Sequence, residues 1–473
     1  MLKRHRACDR CHKQKEKCAL LIDASSCELC RETGSPCTFL RERRRRGRWP
    51  TAQKLGPTTS VGVWDIGTAS ERPGSKVSDK EKSATESTVT EQSQTCNLRL
   101  VFPRSTLPSP FDTDPDILDK FAAKFTCFMI GPTFAPQFRS TLQLAYACSP
   151  GLLQDIFTIF WTEIQEGTYK TSLVHQFNVE KGTAALRILR GARVARPQDA
   201  FAIMALAQSL AAFELLTHVT GSPLILRFSL SVIQPWYPDL ALHAPFDPVI
   251  IGLILWDTVN CLVKRQIPVI KFRPRALQPI DHVAGLCMTL MPLLYDLCVA
   301  GSASARQSEL NPEPYLDAVS QIEQSITAWT PQFPSYAISN YSPQELLAMK
   351  TQATMYKTAA LLVAHRLSFP VGSQDKIAAS YASCIFLELS TYLSLFGSDA
   401  TLPFVAFPIF IAALEIPNVS SDIWKNVNLL AKAPKCAAGL SATIDHVWET
   451  RHAGFTGCLL DLITSDPGIV IVP

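Results

Sequence analysis

Several chemistries are missing from this sequence. The first ten residues, MLKRHRACDR, hold no apolar core of the kind a secretory signal needs, so the fifteen cysteines are expected to face a reducing cytosol or nucleus and not to pair as disulfides. The most lipid-like run, VIIGLILWDTVNCLV from Val249, is broken by Asp257 and Asn260 and falls short of the roughly 20 apolar residues of a spanning helix. It reads as a buried helix, and no membrane is expected as a partner. There is no H-E-x-x-H, no G-x-S-x-G and no Gly-rich phosphate loop, and His446 and His452 beside Asp445 make no catalytic constellation. No catalytic residue is therefore expected, nor is a strand series or a turn ladder visible. Large apolar residues are scarce from 49 to 110, where the only leucine before Gln94 is Leu55, with Gly56-Pro57 directly behind it. That stretch is expected to be a disordered Ser/Thr-rich linker, without the heptads of a coiled-coil dimeriser.

What remains is a body and a compact oddity. From residue 111 to 473 apolar residues recur at intervals of three and four behind proline starts: Asp114-Pro115 before Ile117, Leu118, Phe121 and Phe125, Ser149-Pro150 before Leu152, Leu153, Ile156 and Phe157, then Pro197 and Asp247-Pro248. The fold class expected is all-α. The oddity is residues 1–48. Residues 1–50 carry fourteen Lys and Arg against six acids, a net +8, whereas the whole chain is only +4, so the other 423 residues sum to −4. Charge gathered in one segment points to a polyanionic partner.

The same segment holds six cysteines in two copies of one spacing. Cys8, Cys11 and Cys18 read C-x2-C-x6-C, and so do Cys27, Cys30 and Cys37. Thiolates select zinc, and structural zinc takes four ligands. Two zinc ions need eight ligand places, which six sulfurs fill only if two of them bridge both metals, one from each half. Six thiolates and two Zn2+ sum to −2, a charge for nearby Lys and Arg to offset. A disulfide module would need a secreted context, and an iron–sulfur cluster has no use for a duplicated triad. His5 and His12 are read as surface residues, and the other nine cysteines, Cys127, Cys148, Cys261 and Cys287 among them, as small buried hydrophobes.

The stretch 8–37 resembles the fungal binuclear zinc-cluster family of transcription regulators, C-x2-C-x6-C-x(5–12)-C-x2-C-x(6–8)-C, in every interval. The resemblance implies that Cys8 and Cys27 bridge two Zn2+, with Cys11 and Cys18 completing one site and Cys30 and Cys37 the other. It also implies a partner, double-stranded DNA carrying CGG triplets, read from the major groove by the segment HKQKEK. By position Lys15 and Lys17 fall on the family's base-reading pair, since lysine donors reach the O6 and N7 acceptors of guanine, while Arg10 and Lys13 are expected on phosphates. The run Arg43, Arg44, Arg45 and Arg46 within RERRRRGRW would follow the backbone further and serves as a nuclear import signal. His12 stands where the family commonly has Arg, and Ser25 where it has a loop proline. The body is similar to the fungal-specific regulatory domain in LILWDTVNCLV, YKTAALLVAHRL and LPFVAFPIFIAALE.

These readings add up to a nuclear regulator of RNA polymerase II genes, often in this family the genes of a secondary-metabolite cluster. Its body would sense a small-molecule effector, recruit a coregulator, or pair as a homodimer. The rival reading is an enzyme or scaffold that carries a zinc module as an interaction device.

Overall fold

A computed structural model of the chain describes residues 8–14, 18, 26–35, 37–38, 128–165, 172–217, 222–275, 280–306, 313–398, 400–464 and 469–473. Two compact units divide it, Met1–Gln92 and Ser93–Pro473. Lys15, Lys17, Arg43–Arg46, His5, Ser25, the linker and the proposed helix start at Asp114-Pro115 lie outside the described residues.

In the first unit two short helices, α1 (Asp9–Gln14) and α2 (Glu28–Glu32), each begin one residue after a cysteine. Their core is sulfur. Cys8, Cys11, Cys27 and Cys30 are buried, with Cys18, Leu29 and Cys37 packed against them. Such a core lacks the apolar area that holds a domain together, and units this small are held by metal or disulfide instead.

The regular structure of the second unit is helical among its described residues, with isolated bridges of Asp281 to Gly285 and of Leu402 to Val427 as the extended pairings. The all-α expectation is met. A first group comprises α3 (Ala135–Cys148), α4 (Pro150–Gln165), α5 (Ser172–Gly191), α6 (Pro197–Thr217) and α7 (Ser222–Ile233). In it α3, α4, α5 and α7 all pack on α6, whose side chains are apolar nearly all round. The short α8 (Tyr237–Leu240) leads into α9 (Asp247–Val263), where every residue from Pro248 to Val263 is buried. A second group follows, with α10 (Met291–Arg306), α11 (Glu313–Ala328), α12 (Ala337–Asn340), α13 (Pro343–Ser368), α14 (Asp375–Phe396) and α15 (Ala406–Ala413). Here α13 is the centre, touching α11, α14 and α15. Then α16 (Asn428–Lys432), α17 (Pro434–His452) and α18 (Leu459–Thr464) complete the α-helices among the described residues. Helix α9 joins the groups, packing on α6 and α7 and also on α10 and α18.

The proline starts read from the sequence are where α4, α6 and α9 begin. Helix α13 adds a capping box, in which Ser342 accepts from the Glu345 N–H at 3.2 Å and the Glu345 carboxylate accepts from the Ser342 N–H at 2.9 Å. The same carboxylate accepts from Thr133 N–H at 2.9 Å and from its hydroxyl at 2.8 Å, fixing the start of the first group to the start of α13. A Cβ at Gly131 would lie 2.2 Å from the Glu345 Oε1, so any larger residue there must displace that carboxylate.

One expectation needs correction. With the 3-10 turn Ala244–Phe246 running into it, α9 reaches 20 helical residues, and three stretches, Pro197–Thr217, Ala244–Val263 and Cys287–Ala305, are long and apolar enough to cross a membrane. Their windows are 78%, 89% and 56% buried inside the unit, so neighbouring helices already cover most of this surface. The polar breaks in α9 are paired. Asp257 accepts from Val269 N–H at 2.8 Å and from Arg227 at 3.2 Å, and Asn260 bonds to the C-terminal segment Ile469–Pro473, itself fully buried.

Buried charge also knits the second group. Arg366 on α13, 1% exposed, meets the Glu415 carboxylate twice, at 2.6 and 2.7 Å, and Asp375 at 2.8 Å. Arg451 on α17 approaches the same Glu415 at 3.1 Å. Of the nine cysteines outside the repeat, Cys148, Cys261, Cys287, Cys298 and Cys436 are buried as expected, but Cys458 is half-buried and Cys384 exposed. Cys96 and Cys127 lie outside the described residues. Nor is Cys261 a plain hydrophobe, for its sulfur sits 2.6 Å from the Arg227 guanidinium.

Candidate metal centre

Each half of the repeat builds the same small loop. Cys8 N–H donates to Cys18 Sγ at 3.4 Å, and Cys27 N–H donates to Cys37 Sγ at 3.3 Å, an identical ten-residue closure in both copies. The x2 spacing places the second cysteine at the third helical residue, where Cys11 N–H donates to Cys8 Sγ at 3.5 Å. A helix start supplies amide donors that no earlier carbonyl has claimed, and a thiolate is a good acceptor for them.

The halves then meet sulfur to sulfur. Cys8 Sγ lies 3.8 Å from Cys27 Sγ and 3.7 Å from Cys30 Sγ, and Cys11 Sγ lies 3.7 Å from Cys27 Sγ. Four thiolates at about 2.3 Å from one zinc have tetrahedral edges of about 3.8 Å. The observed spacings fit that donor set. Cys8, Cys11, Cys27 and Cys30 gather their sulfurs within 4.8 Å of one another. Cys18 interacts with Cys8 and Cys27, and so does Cys37, which makes Cys8 and Cys27 the pair common to both halves.

Electrostatics separates the same pair. Burial works to raise the Cys27 thiol, but the Cys30 backbone N–H and the thiols of Cys30, Cys11 and Cys18 outweigh it and hold Cys27 down at about 6. Cys8 is lowered in the same way, against burial, by the Cys11 N–H and the thiols of Cys11 and Cys30. Burial and the Cys8 thiol push Cys11 up. Cys37 receives the Cys27 N–H, which favours its thiolate, yet burial and the sulfurs of Cys27 and Cys8 push it up to about 11. Protons thus sit on the outer sulfurs and leave the central two first.

Polar braces that the sequence reading missed lace the halves together. Asp9 N–H donates to Thr38 C=O at 2.8 Å, and the Thr38 hydroxyl returns to the Asp9 carboxylate at 3.0 Å. Arg10, expected on phosphates, reaches across from α1 to donate to Thr33 Oγ1 at 2.6 Å, and it favours the Cys30 thiolate. The Thr33 hydroxyl spends its own proton on Leu29 C=O at 2.7 Å, so it is free to accept. An acid one residue after each cysteine that starts a helix, Asp9 and Glu28, was the available signal for the first brace. Lys13 lies exposed on α1, where a cation can reach an external partner.

Compared with known families, residues 6–47 match the fungal Zn(2)-Cys(6) binuclear cluster domain and residues 249–432 match the fungal specific transcription factor domain. No curated protein and no solved structure matches the chain. The chain thus carries both domains of a fungal zinc-cluster transcription factor, as its cysteine spacing suggested. It binds zinc, binds DNA and regulates transcription.

Proposed function

We propose that the chain is a nuclear, sequence-specific regulator of RNA polymerase II genes that reads CGG triplets through a two-zinc module. The observation that carries this is the interlocked sulfur arrangement, in which Cys8 and Cys27 belong to both halves. In this reading Cys8 and Cys27 bridge the metals, Cys11 and Cys18 complete one site, and Cys30 and Cys37 the other. Bound zinc supplies cross-links and no reactive chemistry, since closed tetrahedral thiolate sites leave no open position. Lys15 and Lys17 read guanine edges, and Lys13 and Arg43–Arg46 contact phosphates. Arg10, with its end tied to Thr33, steadies the cluster's negative charge and contributes less to DNA.

The helical unit would receive an effector or coregulator, and any homodimer would form there, because the 49–110 stretch has no heptads. Control of a secondary-metabolite gene cluster is the class of pathway this architecture suggests. The test is a gel shift of the full chain on a CGG-containing duplex and on the same duplex with the triplet scrambled, before and after chelation. Equal affinity for both duplexes, or binding indifferent to chelator, would remove the reading. A zinc module serving protein contacts alone would then take its place.

A further inference from the structure

The last turn of α9 holds the extended residues 469–473 as it would a ligand. Asn260 Nδ2 donates to Ile471 C=O at 2.5 Å, and Asn260 Oδ1 accepts from Ile471 N–H at 3.2 Å, so one carboxamide pairs with both backbone groups of one residue as a neighbouring strand would. One turn on, Lys264 Nζ donates to Ile469 C=O at 2.7 Å. Arg265, in the next position, holds Asp461 of α18, so the clamp grips the C-terminal arm at two places. Ile469, Val470, Ile471 and Val472 are all buried, the last two completely, although no helix or sheet ladder of their own holds them. Backbone read by an amide, with apolar pockets for alternate side chains, is how proteins bind extended peptides in trans.

From this we infer that the end of α9 and α17 form a groove for an extended apolar peptide segment, and that residues 469–473 are its resident occupant in cis. Three observations favour a bound segment over an ordinary piece of core. The polar contacts to the segment come from side chains of the groove and fall on backbone atoms of the segment. Asn260 is buried in a mostly apolar helix, and beyond its bond to Trp256 C=O one turn back at 3.0 Å its carboxamide is spent on Ile471. Cys436 on α17 adds a weak contact from the opposite wall, 3.9 Å from Val470 C=O. In a regulator such a groove would let a partner's apolar segment, presented in extended form, compete with the tail. The inference does not depend on DNA recognition, and its test involves no DNA.

The experiment has an intact arm and a cut arm. Hydrogen exchange on the full chain should show the amides of 469–472 exchanging at least tenfold faster than the amides in the middle of α9, because the tail leaves while the helices stay. A chain ending at residue 468 should keep its helical circular dichroism, melt lower, and bind a lysine-tagged peptide containing Gly-Ile-Val-Ile-Val-Pro saturably, by fluorescence anisotropy. Asn260→Leu in that shortened chain should keep the fold and weaken the peptide at least tenfold. Exchange of the tail only together with α9 would overturn the inference. So would a shortened chain that loses its helices and is not restored by the peptide, or peptide binding that Asn260→Leu leaves unchanged.

Discussion

Cys27→Ser in the full chain is the sharpest test of the metal centre. Cys27 Sγ lies 3.8 Å from Cys8 Sγ and 3.7 Å from Cys11 Sγ, and its thiol also interacts with Cys30 and Cys18, so its sulfur serves both halves. Each structural zinc in a small thiolate module contributes about 10–16 kcal/mol of apparent binding free energy at neutral pH, and that binding is folding free energy. The whole stability of an ordinary domain is about 5–15 kcal/mol. On the proposed bridging, loss of Cys27 removes more than the module can lose, and zinc content should fall from two ions per chain to none. On the same proposal Cys37→Ser would remove a ligand of one metal only, leaving Cys8, Cys11, Cys18 and Cys27 as a complete set of four. That variant should keep one. Native mass spectrometry with metal analysis reads both numbers directly. A Cys27→Ser chain holding one zinc refutes the shared-sulfur argument, and a Cys18→Ser chain with undiminished metal points instead to a single site made of Cys8, Cys11, Cys27 and Cys30.

Other outcomes follow from other parts of the molecule. Glu415→Gln should destabilise the helical unit by up to about 3–5 kcal/mol, because it takes the buried carboxylate from Arg366 and Arg451 and leaves Arg366 only the more exposed Asp375 as charge partner among the described residues. For a unit this large that is a loss of about 4–6 °C in the thermal midpoint, and an unchanged midpoint would show the network contributes nothing. His365 is buried with its Nε2 unpartnered, and burial, with Arg366 beside it, pushes its pKa below the usual histidine range. The unfolded chain takes up this proton at higher pH than the folded one, so stability is retained above the ordinary histidine pKa and declines as pH falls through it. His365→Phe should flatten that decline in denaturant titrations between pH 7.5 and 5.5. On DNA, Lys15→Ala should cost about 1–3 kcal/mol and relax the preference at one guanine. Arg44→Ala should weaken all duplexes alike and reduce the salt slope by about 0.9, and identical behaviour of the two variants would mean that Lys15 reads no base.

Much of this was legible because it depends on spacing alone. The duplicated C-x2-C-x6-C fixes two equal loops whatever fills them, and Pro150, Pro197 and Pro248 announce helix starts by removing a donor that a first turn does not need. The partners of isolated polar residues were not legible. Asp257 and Asn260 looked like flaws in a lipid-like run, and nothing local says that one meets Arg227 and Val269 while the other meets Ile471. Arg10 illustrates the same limit within the cluster. A cation beside a zinc motif suggests phosphate, whereas its place on α1 hands it to Thr33 of the other half. Local chemistry shows that a buried polar group needs a partner, and only the fold says which.

The carboxylate of Glu345 has a consequence for the timing of synthesis. It binds Thr133 across 212 residues, in space that a Cβ at Gly131 would take from it. At roughly 5–20 residues per second, a ribosome needs about 10–40 s to deliver Glu345 after Thr133 has been made. Through that interval the first helical group exists without this anchor, and until α9 is made the faces of α6 and α7 that pack on it are uncovered. Slowing translation between α7 and α9 would lengthen the period in which that apolar surface is open to aggregation.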